Sequence, residues 1–590
     1  MAPRKLPPVD IVIVGMGWAG GIMAKELGPT GLKIAVLERG GPRSTQDDFN
    51  IPQIRDELRF HQRTGLMMDT AKDTLTVRNK LSEEALPMRR LGSFLPGEGV
   101  GGSGVHWNGV NWRWADQDLK IRSHYEQRYG KAYIPADMPL RDWAVGYAEL
   151  EPFYEKFEYT TGVSGKAGNL KGKLQPGGNP YEGARAKDYP MPPLTPSLAS
   201  NMFTKAATEV GFHPFPRPAS QASQPWVNRD GQQLGQCQYC GFCERFGCES
   251  NSKGSPHITV IPVALKNQNV DLRTYSWVQK VLLDSTGKKA TGVLYVNVKT
   301  GEELEQPADL VILSGYQLNN VHLLLLSGIG KPYDPKTREG IVGANYCYQV
   351  QGGVTLFFED RAFNPFISTG SLGAIMDDFH YNQDFDRSKI GTIGGATLAM
   401  GGPHGRPINY HPTPPGTPQW GSEFKRATAK WYQGAVNIAA TGSVMPHADN
   451  CLTLDPTYKN RFGQPLLRMT FDFHDNDYKV IGQATDAAGV IAKAMNPKII
   501  APGASRRSGW SVVPYQTTHN PGGAIMGAQP GASVVNKFGQ SWDVPNVFVT
   551  SAAVFPHNSA YNPTGPVGAL AFFAADAIKN RYLKKPGMLV

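Results

Sequence analysis

DIVIVGMGWAGGIMAKELGPTGLKIAVLERG, residues 10–40, decides the fold. Asp10–Gly15 is a short β-rich run ending in glycine, Trp18–Leu27 reads as a helix, and Leu32–Glu38 is a second buried strand. The turn GMGWAG sets Gly15, Gly17 and Gly20 at the spacing of a dinucleotide-binding loop. Gly15 permits the tight turn, Gly17 lets backbone approach a pyrophosphate, and Gly20 lets helix and strand pack closely. The helix N-terminus then faces the phosphates. Glu38 can accept hydrogen bonds from ribose hydroxyls. A bare glycine triplet is common in proteins; flanked by two strands, a helix and an acidic residue it points to a nucleotide. The fingerprint does not separate NAD from FAD, although its place near the start of a long chain leans towards FAD.

At 590 residues the chain exceeds the size of one hydrophobic core, so at least two domains are expected. Lys+Arg 60 against Asp+Glu 50 gives a net charge of +10, diluted over a large surface with no basic block or Arg-rich helix. That balance suits attraction of a small anion and argues against nucleic acid. No run of 18 apolar residues occurs, so no transmembrane helix is expected. The first residues run directly into a strand, so a cleavable signal peptide is not expected. Work outside the cytoplasm would need another chain to carry this one.

Further strands are expected at Val270–Tyr275, Val278–Leu283, Ala290–Val298 and Asp309–Ser314, the last followed by a helix ending in LLLLSGIG. Candidate strands near 351–358 and 466–473 precede a long amphipathic helix, Asp477–Met495. Residues 546–578 read as strand, long loop and closing helix. Residues 40–98 are polar and irregular, and 115–235 are rich in Pro, Gly and Tyr with weak periodicity.

LPGEGVGGSGVHWNGVNWR, residues 95–113, is too glycine-dense for a regular element, and its backbone amides can contact a cofactor closely. YQTTHNPGGAIMG (515–527) and AYNPTGPVGALAFFAADAI (560–578) each put a polar side chain, His519 or Asn562, before a proline and a tight turn.

With GMGWAG and ADLVILSGYQLNNVHLLLLSGIG (308–330), these segments resemble, in order and over nearly the whole chain, the GMC (glucose–methanol–choline) flavin oxidoreductases. The resemblance implies an α+β GMC fold. A Rossmann-like FAD-binding domain would comprise 1–115, 236–345 and 500–590, and a mixed-sheet substrate domain 116–235 and 346–499. It implies FAD held by Gly15, Gly17, Gly20, Glu38, Gly101, Gly102, Ser103, His106, Asn108, Val278 and Ser551. His106 matches a histidine that in some relatives bonds covalently to the flavin, and in others packs beside it. In TSAAVFP (550–556) Ser551 stands where many members have Asp, which points to a backbone-mediated contact there. Trp107 and Trp112 read as core.

His519 matches the family's catalytic histidine, and Asn562 the partner position. Oxidising an alcohol requires removal of the hydroxyl proton while hydride leaves carbon, and a neutral imidazole can accept that proton. Asn562 can hold the same oxygen but not titrate.

CQYCGFCERFGC, residues 237–248, concentrates Cys237, Cys240, Cys243 and Cys248 at C-x2-C-x2-C-x4-C spacing. Disulfides between residues so close would be strained, and zinc knuckles usually stand a dozen or more residues apart. One loop with four thiols is the pattern of an iron–sulfur cluster, with zinc or unligated thiols as the alternatives. Cys347 and Cys451 stand alone and read as buried, inert thiols. Within the family the likeness is greatest to membrane-associated gluconate dehydrogenase subunits. That implies a 3Fe–4S cluster in loop 237–254, needing three of the four thiolates, with Cys243 and Cys248 the firmer pair.

It also implies a sugar-acid substrate, D-gluconate oxidised at C2 to 2-keto-D-gluconate. Electrons would pass through the cluster to a multihaem cytochrome c subunit and quinone. A small companion subunit would carry export to the periplasmic face of the inner membrane, with membrane contact only through partners. Two alternatives stand beside this: a related dehydrogenase of 2-ketogluconate, sorbitol or glucose, and a zinc-stapled FAD protein serving assembly.

Overall fold

The computed structural model describes residues 3–49, 65–243, 245–402, 410–503 and 509–589. Ile11, Val12 and Ile13 have no solvent exposure. A strand apolar on both faces belongs in the middle of a parallel sheet. Val9–Val14 sits there, between Ile34–Leu37 and Glu303–Leu313, parallel to both. Val270–Arg273 extends the sheet beyond Ile34–Leu37, and Val547–Val549 lies parallel to the end of Glu303–Leu313. Ser276–Leu283 and Ala290–Asn297 form an antiparallel meander with the first half of Glu303–Leu313. The sheet is therefore mixed, with eight strands among the described residues.

The helix Trp18–Leu27 is buried at nearly every position. A Cβ on Gly20 would lie 1.9 Å from the Gly15 carbonyl oxygen, so only glycine fits there. Gly15 itself has φ +93°, which L-residues rarely adopt. This helix packs on Thr564–Ala577, which in turn packs on Tyr147–Thr161. A Cβ on Gly568 would lie 2.4 Å from the Phe157 ring, which sets how closely those two helices approach.

Tyr147–Thr161 lies in the stretch read from sequence as weakly periodic. Its buried stripe, Tyr147, Leu150, Tyr154, Phe157 and Thr161, keeps helical spacing, but Pro152 sits inside it and its large residues are mostly aromatic. The helix also anchors the second glycine-rich segment. Glu158 is buried between Arg113, at 2.8 and 2.7 Å, and Arg185, at 2.6 and 3.2 Å. With both guanidiniums beside it, its carboxyl stays below the usual range despite burial.

A second, antiparallel sheet runs in the order 499–502, 349–357, 435–443, 396–401, 373–376, 215–216. The helix Asp475–Ala494 lays Val480, Ile481, Ala484, Ala488 and Ile491 across it. Of these strands 349–357 is anticipated from the sequence, while 215–216, 373–376, 396–401, 435–443 and 499–502 are not. A smaller sheet joins 451–459 and 465–470 to 76–78 and 86–87, so the early segment and the later chain share one sheet. Of the stretch 40–98, read as irregular, residues 50–64 lie outside those described.

Candidate active site

The strand ends of the mixed sheet and the two glycine-rich loops border one cleft of about 370 Å³. Gly15, Gly17 and Glu38 line it from the first β-turn-helix unit, and Gly102, Ser103, His106 and Asn108 from the second loop. Val278 and Ser551 complete the predicted set at its walls. Gly20 and Gly101 stand behind the lining. Gly101 donates its N–H to the Met16 carbonyl at 2.7 Å, which locks one loop on the other.

Glu38 organises this end. Its Oε2 accepts from the Met16 N–H at 2.9 Å, and its Oε1 from Gly40 at 2.9 Å and Gly99 at 3.3 Å. Burial pushes its carboxyl above the ordinary value against the pull of those three donors. Carboxylate lone pairs remain for a further donor such as a ribose hydroxyl. The Ser551 hydroxyl accepts from Asn320 Nδ2 at 2.9 Å and from the Ala553 N–H at 3.2 Å. Its side chain thus closes a turn, and Asn320, which sequence reasoning missed, ties that turn to the loop after Leu313.

His106 Nε2 faces the Leu95 carbonyl at 3.1 Å, while Nδ1 is buried without a hydrogen-bond partner. Burial pushes this imidazole down to about 4, so it is neutral at working pH. An orphaned ring nitrogen, two glycine-rich loops and a buried acid at the strand end together form a cradle that fits a flavin dinucleotide.

At the other end, His519 and Asn562 come together from turns 43 residues apart. Asn562 Nδ2 lies 2.9 Å from His519 Nε2. On the far side of the ring, His519 Nδ1 is 2.5 Å from Gln349 Oε1. Burial alone pushes His519 down to about 4, which leaves a neutral imidazole facing the cleft. Trp112 is buried, as a core residue should be, but it also reaches the site. Its ring stacks on Tyr561 at 4.1 Å, and its N–H donates to Asn562 Oδ1 at 3.0 Å.

The four thiols of the cysteine loop suit iron chemically and neighbour one another, Cys243 hydrogen-bonded with Cys240 and Cys237 close to Cys240 and Cys248. Cys237 and Cys243 are buried and Cys240 is exposed; Cys248 Sγ turns to Ser252 Oγ at 3.3 Å and Ser250 Oγ at 3.4 Å. Burial pushes the Cys237 thiol up to about 11. Among the described residues, no group of three or more His, Cys, Asp or Glu is placed to hold a metal ion. The expected iron–sulfur set therefore finds no support in the geometry, and no step below passes through it. The loop is nonetheless fastened to the cleft. Lys253 is fully buried, and its Nζ donates to the Phe246 carbonyl at 2.5 Å and the Trp107 carbonyl at 2.7 Å. Arg245, from the same loop, lines the cleft with its guanidinium stacked 3.7 Å above the Tyr515 ring.

Family models described as GMC oxidoreductase match residues 193–351 and 446–571. The gluconate 2-dehydrogenase flavoprotein of Pantoea cypripedii is 45% identical over 592 residues, covering 100% of this chain and 96% of the relative. The chain is a GMC oxidoreductase. Two further relatives are less similar to it. The 2-methyl-1,2-propanediol dehydrogenase of Mycolicibacterium austroafricanum is 26% identical over 97% of this chain and 95% of its own. The fructose dehydrogenase large subunit of Gluconobacter japonicus is 24% identical over 97% and 98%. Pyridoxine 4-oxidase from Mesorbium loti shares the fold, with a TM-score of 0.60 at 16% identity over 97% of this chain and 99% of that one. As a GMC oxidoreductase the protein is an FAD-dependent enzyme acting on CH–OH groups. Among the described residues no helix is long and apolar enough to cross a membrane.

Proposed function

We propose that this GMC enzyme is a dehydrogenase that oxidises D-gluconate at C2 to 2-keto-D-gluconate. The observation that carries the proposal is the contact of His519 with Asn562 at the cleft wall. Bound FAD supplies the acceptor for the hydride. Gly15, Gly17, Glu38, Gly102, Ser103 and His106 would hold it, and Gly20 and Gly101 shape the loops behind. His519 takes the hydroxyl proton, because a neutral ring at the wall has a lone pair to offer. Asn562 donates an N–H to the same hydroxyl oxygen and orients it without titrating.

Gluconate as substrate is supported by the full-length likeness to the Pantoea flavoprotein. A cation in the cleft supports it independently. The planar guanidinium of Arg245, stacked on Tyr515 in the cleft lining, is of the kind suited to a carboxylate.

The finer parts of the proposal rest on the cysteine spacing and the family resemblance. They are a 3Fe–4S centre in loop 237–254, a small companion subunit, a multihaem cytochrome c acceptor, and a periplasmic location held by those partners. The division into an FAD domain and a substrate domain at 115/116, 235/236, 345/346 and 499/500 belongs with them.

A substrate panel on the chain with its natural partners and an artificial electron acceptor tests the proposal. Turnover of gluconate to the 2-keto acid is expected. Turnover only of sorbitol, glucose or 2-ketogluconate would replace gluconate as the substrate. Zinc without iron in the purified complex would remove the cluster.

A further inference from the structure

Gln349 opens the strand Gln349–Phe357 and has no solvent exposure. Both of its side-chain N–H groups are engaged by backbone: Nε2 donates to the carbonyls of Ser559 at 2.6 Å and Tyr561 at 2.9 Å. Turning the amide over would set Oε1 against those two carbonyl oxygens, so its orientation is fixed by its own partners. Oε1 therefore faces His519 Nδ1 at 2.5 Å, with the Thr517 hydroxyl as a second, longer donor at 3.3 Å.

An amide oxygen has no hydrogen to give. So short a contact requires Nδ1 to carry the hydrogen. A neutral imidazole has a single N–H, which makes Nε2 the unprotonated atom. The opposite side of the ring agrees. Trp112 Nε1 is only a donor, so it fixes Asn562 Oδ1 towards itself and turns the Nδ2 hydrogens towards His519 Nε2. Two pinned amides thus address the ring, one accepting at Nδ1 and one donating at Nε2.

We propose that Gln349 is a positioning residue that holds His519 in the Nδ1–H tautomer, and so reserves Nε2 for the substrate's hydroxyl proton. The inference rests on the dehydrogenase reading above. In that reaction the substrate O–H bond breaks and Nε2–H forms. With FAD bound as acceptor, the carbon's hydrogen would leave with its electron pair as the C=O bond forms. The Nδ1 hydrogen stays in place throughout, satisfied by Gln349 in both charge states of the ring. The groups facing the ring, Gln349, Thr517 and Asn562, are all neutral. A carboxylate at position 349 would accept the same hydrogen but would also stabilise the imidazolium, and a ring already protonated takes no further proton. An amide fixes the tautomer without that charge.

Long-range proton–nitrogen spectra of the histidine-labelled holoenzyme test this, with the His519 signals assigned by their loss in His519→Gln. In the wild type, Nδ1 is expected to carry hydrogen and Nε2 to be the pyridine-like nitrogen. In Gln349→Leu, similar in size but without the acceptor, only Asn562 still addresses the ring, so the share of Nδ1–H should fall and flavin reduction should slow by about 10-fold or more. Gln349→Glu, which retains an oxygen opposite Nδ1, should restore the Nδ1–H signal. An Nε2–H ring in the wild type, or unchanged tautomer signals in Gln349→Leu, would overturn the proposal. If the leucine variant does not fold, the wild-type spectrum and the glutamate variant decide. Failure of the dehydrogenase reading shows separately, as absence of flavin reduction by any alcohol, and leaves the tautomer spectrum untouched.

Discussion

The indole N–H of Trp112 donates to Asn562 Oδ1 at 3.0 Å, and the amide's other end faces His519 Nε2 at 2.9 Å. The same tryptophan is stacked on Tyr561, one residue before Asn562, so it fixes both the backbone of that turn and the amide's direction. Trp112→Phe keeps an aromatic ring but removes the donor. A lost hydrogen bond of about 1 kcal/mol lowers a rate roughly 5- to 10-fold. Flavin reduction should slow by that amount with flavin content unchanged, measured by stopped-flow absorbance. An unaltered rate would show that the amide needs no such anchor.

The burial of His519 makes a prediction about pH. The neutral ring is the form that accepts a proton, and burial pushes its ionisation down to about 4. An ordinary histidine, near 6.5, would be half protonated already at that pH. Flavin reduction should therefore hold level from neutral pH down to about pH 5 and fall only below it. A decline centred near 6.5 in the rate profile would mean that the ring in the working enzyme is not so desolvated.

Arg245 offers a handle on substrate charge. Arg245→Met keeps length and apolar contact with Tyr515 but removes the guanidinium. The KM for gluconate should rise by about 10-fold or more, the scale of a lost charge-assisted contact. The KM for an uncharged polyol should stay close to its wild-type value. Equal effects on both substrates in steady-state assays would assign Arg245 a structural role at the cleft mouth.

His106 has one ring nitrogen orphaned in the wall of the cleft, and we propose that it bonds the flavin covalently. Acid precipitation of the holoenzyme should carry the flavin down with the chain, and His106→Ala should leave it in the supernatant. Free flavin from the wild-type protein would assign His106 to packing alone.

The first 40 residues were nearly transparent in sequence because local rules govern them. Apolar runs make the strands, glycine spacing makes the turn, and the helix follows at Trp18–Leu27 as the pattern requires. The antiparallel sheet was less legible. Its strands at 373–376, 396–401 and 435–443 carry small and polar residues such as Gly373, Thr397 and Asn437, so their alternation is faint. The candidate catalytic pair could be read because each member sits in a distinctive motif. Their supports could not. Gln349 is 170 residues from His519 and reads only as a polar residue at a strand start, and Trp112 is 450 residues from Asn562. Side-chain partners so far apart leave no periodicity, and the fold alone brings them together. The cysteine loop shows the converse: a strong spacing signal, yet among the described residues no three ligands are placed to hold a metal ion.

The central claim is that His519 is the base in the oxidation of a sugar acid by bound FAD. Stopped-flow reduction of the flavin by D-gluconate, in the wild type and in His519→Ala, tests it most directly. Rapid bleaching by gluconate is expected in the wild type, with slowing by about two orders of magnitude in the variant and the flavin still bound. No bleaching by gluconate, or equal rates in the two proteins, would contradict it.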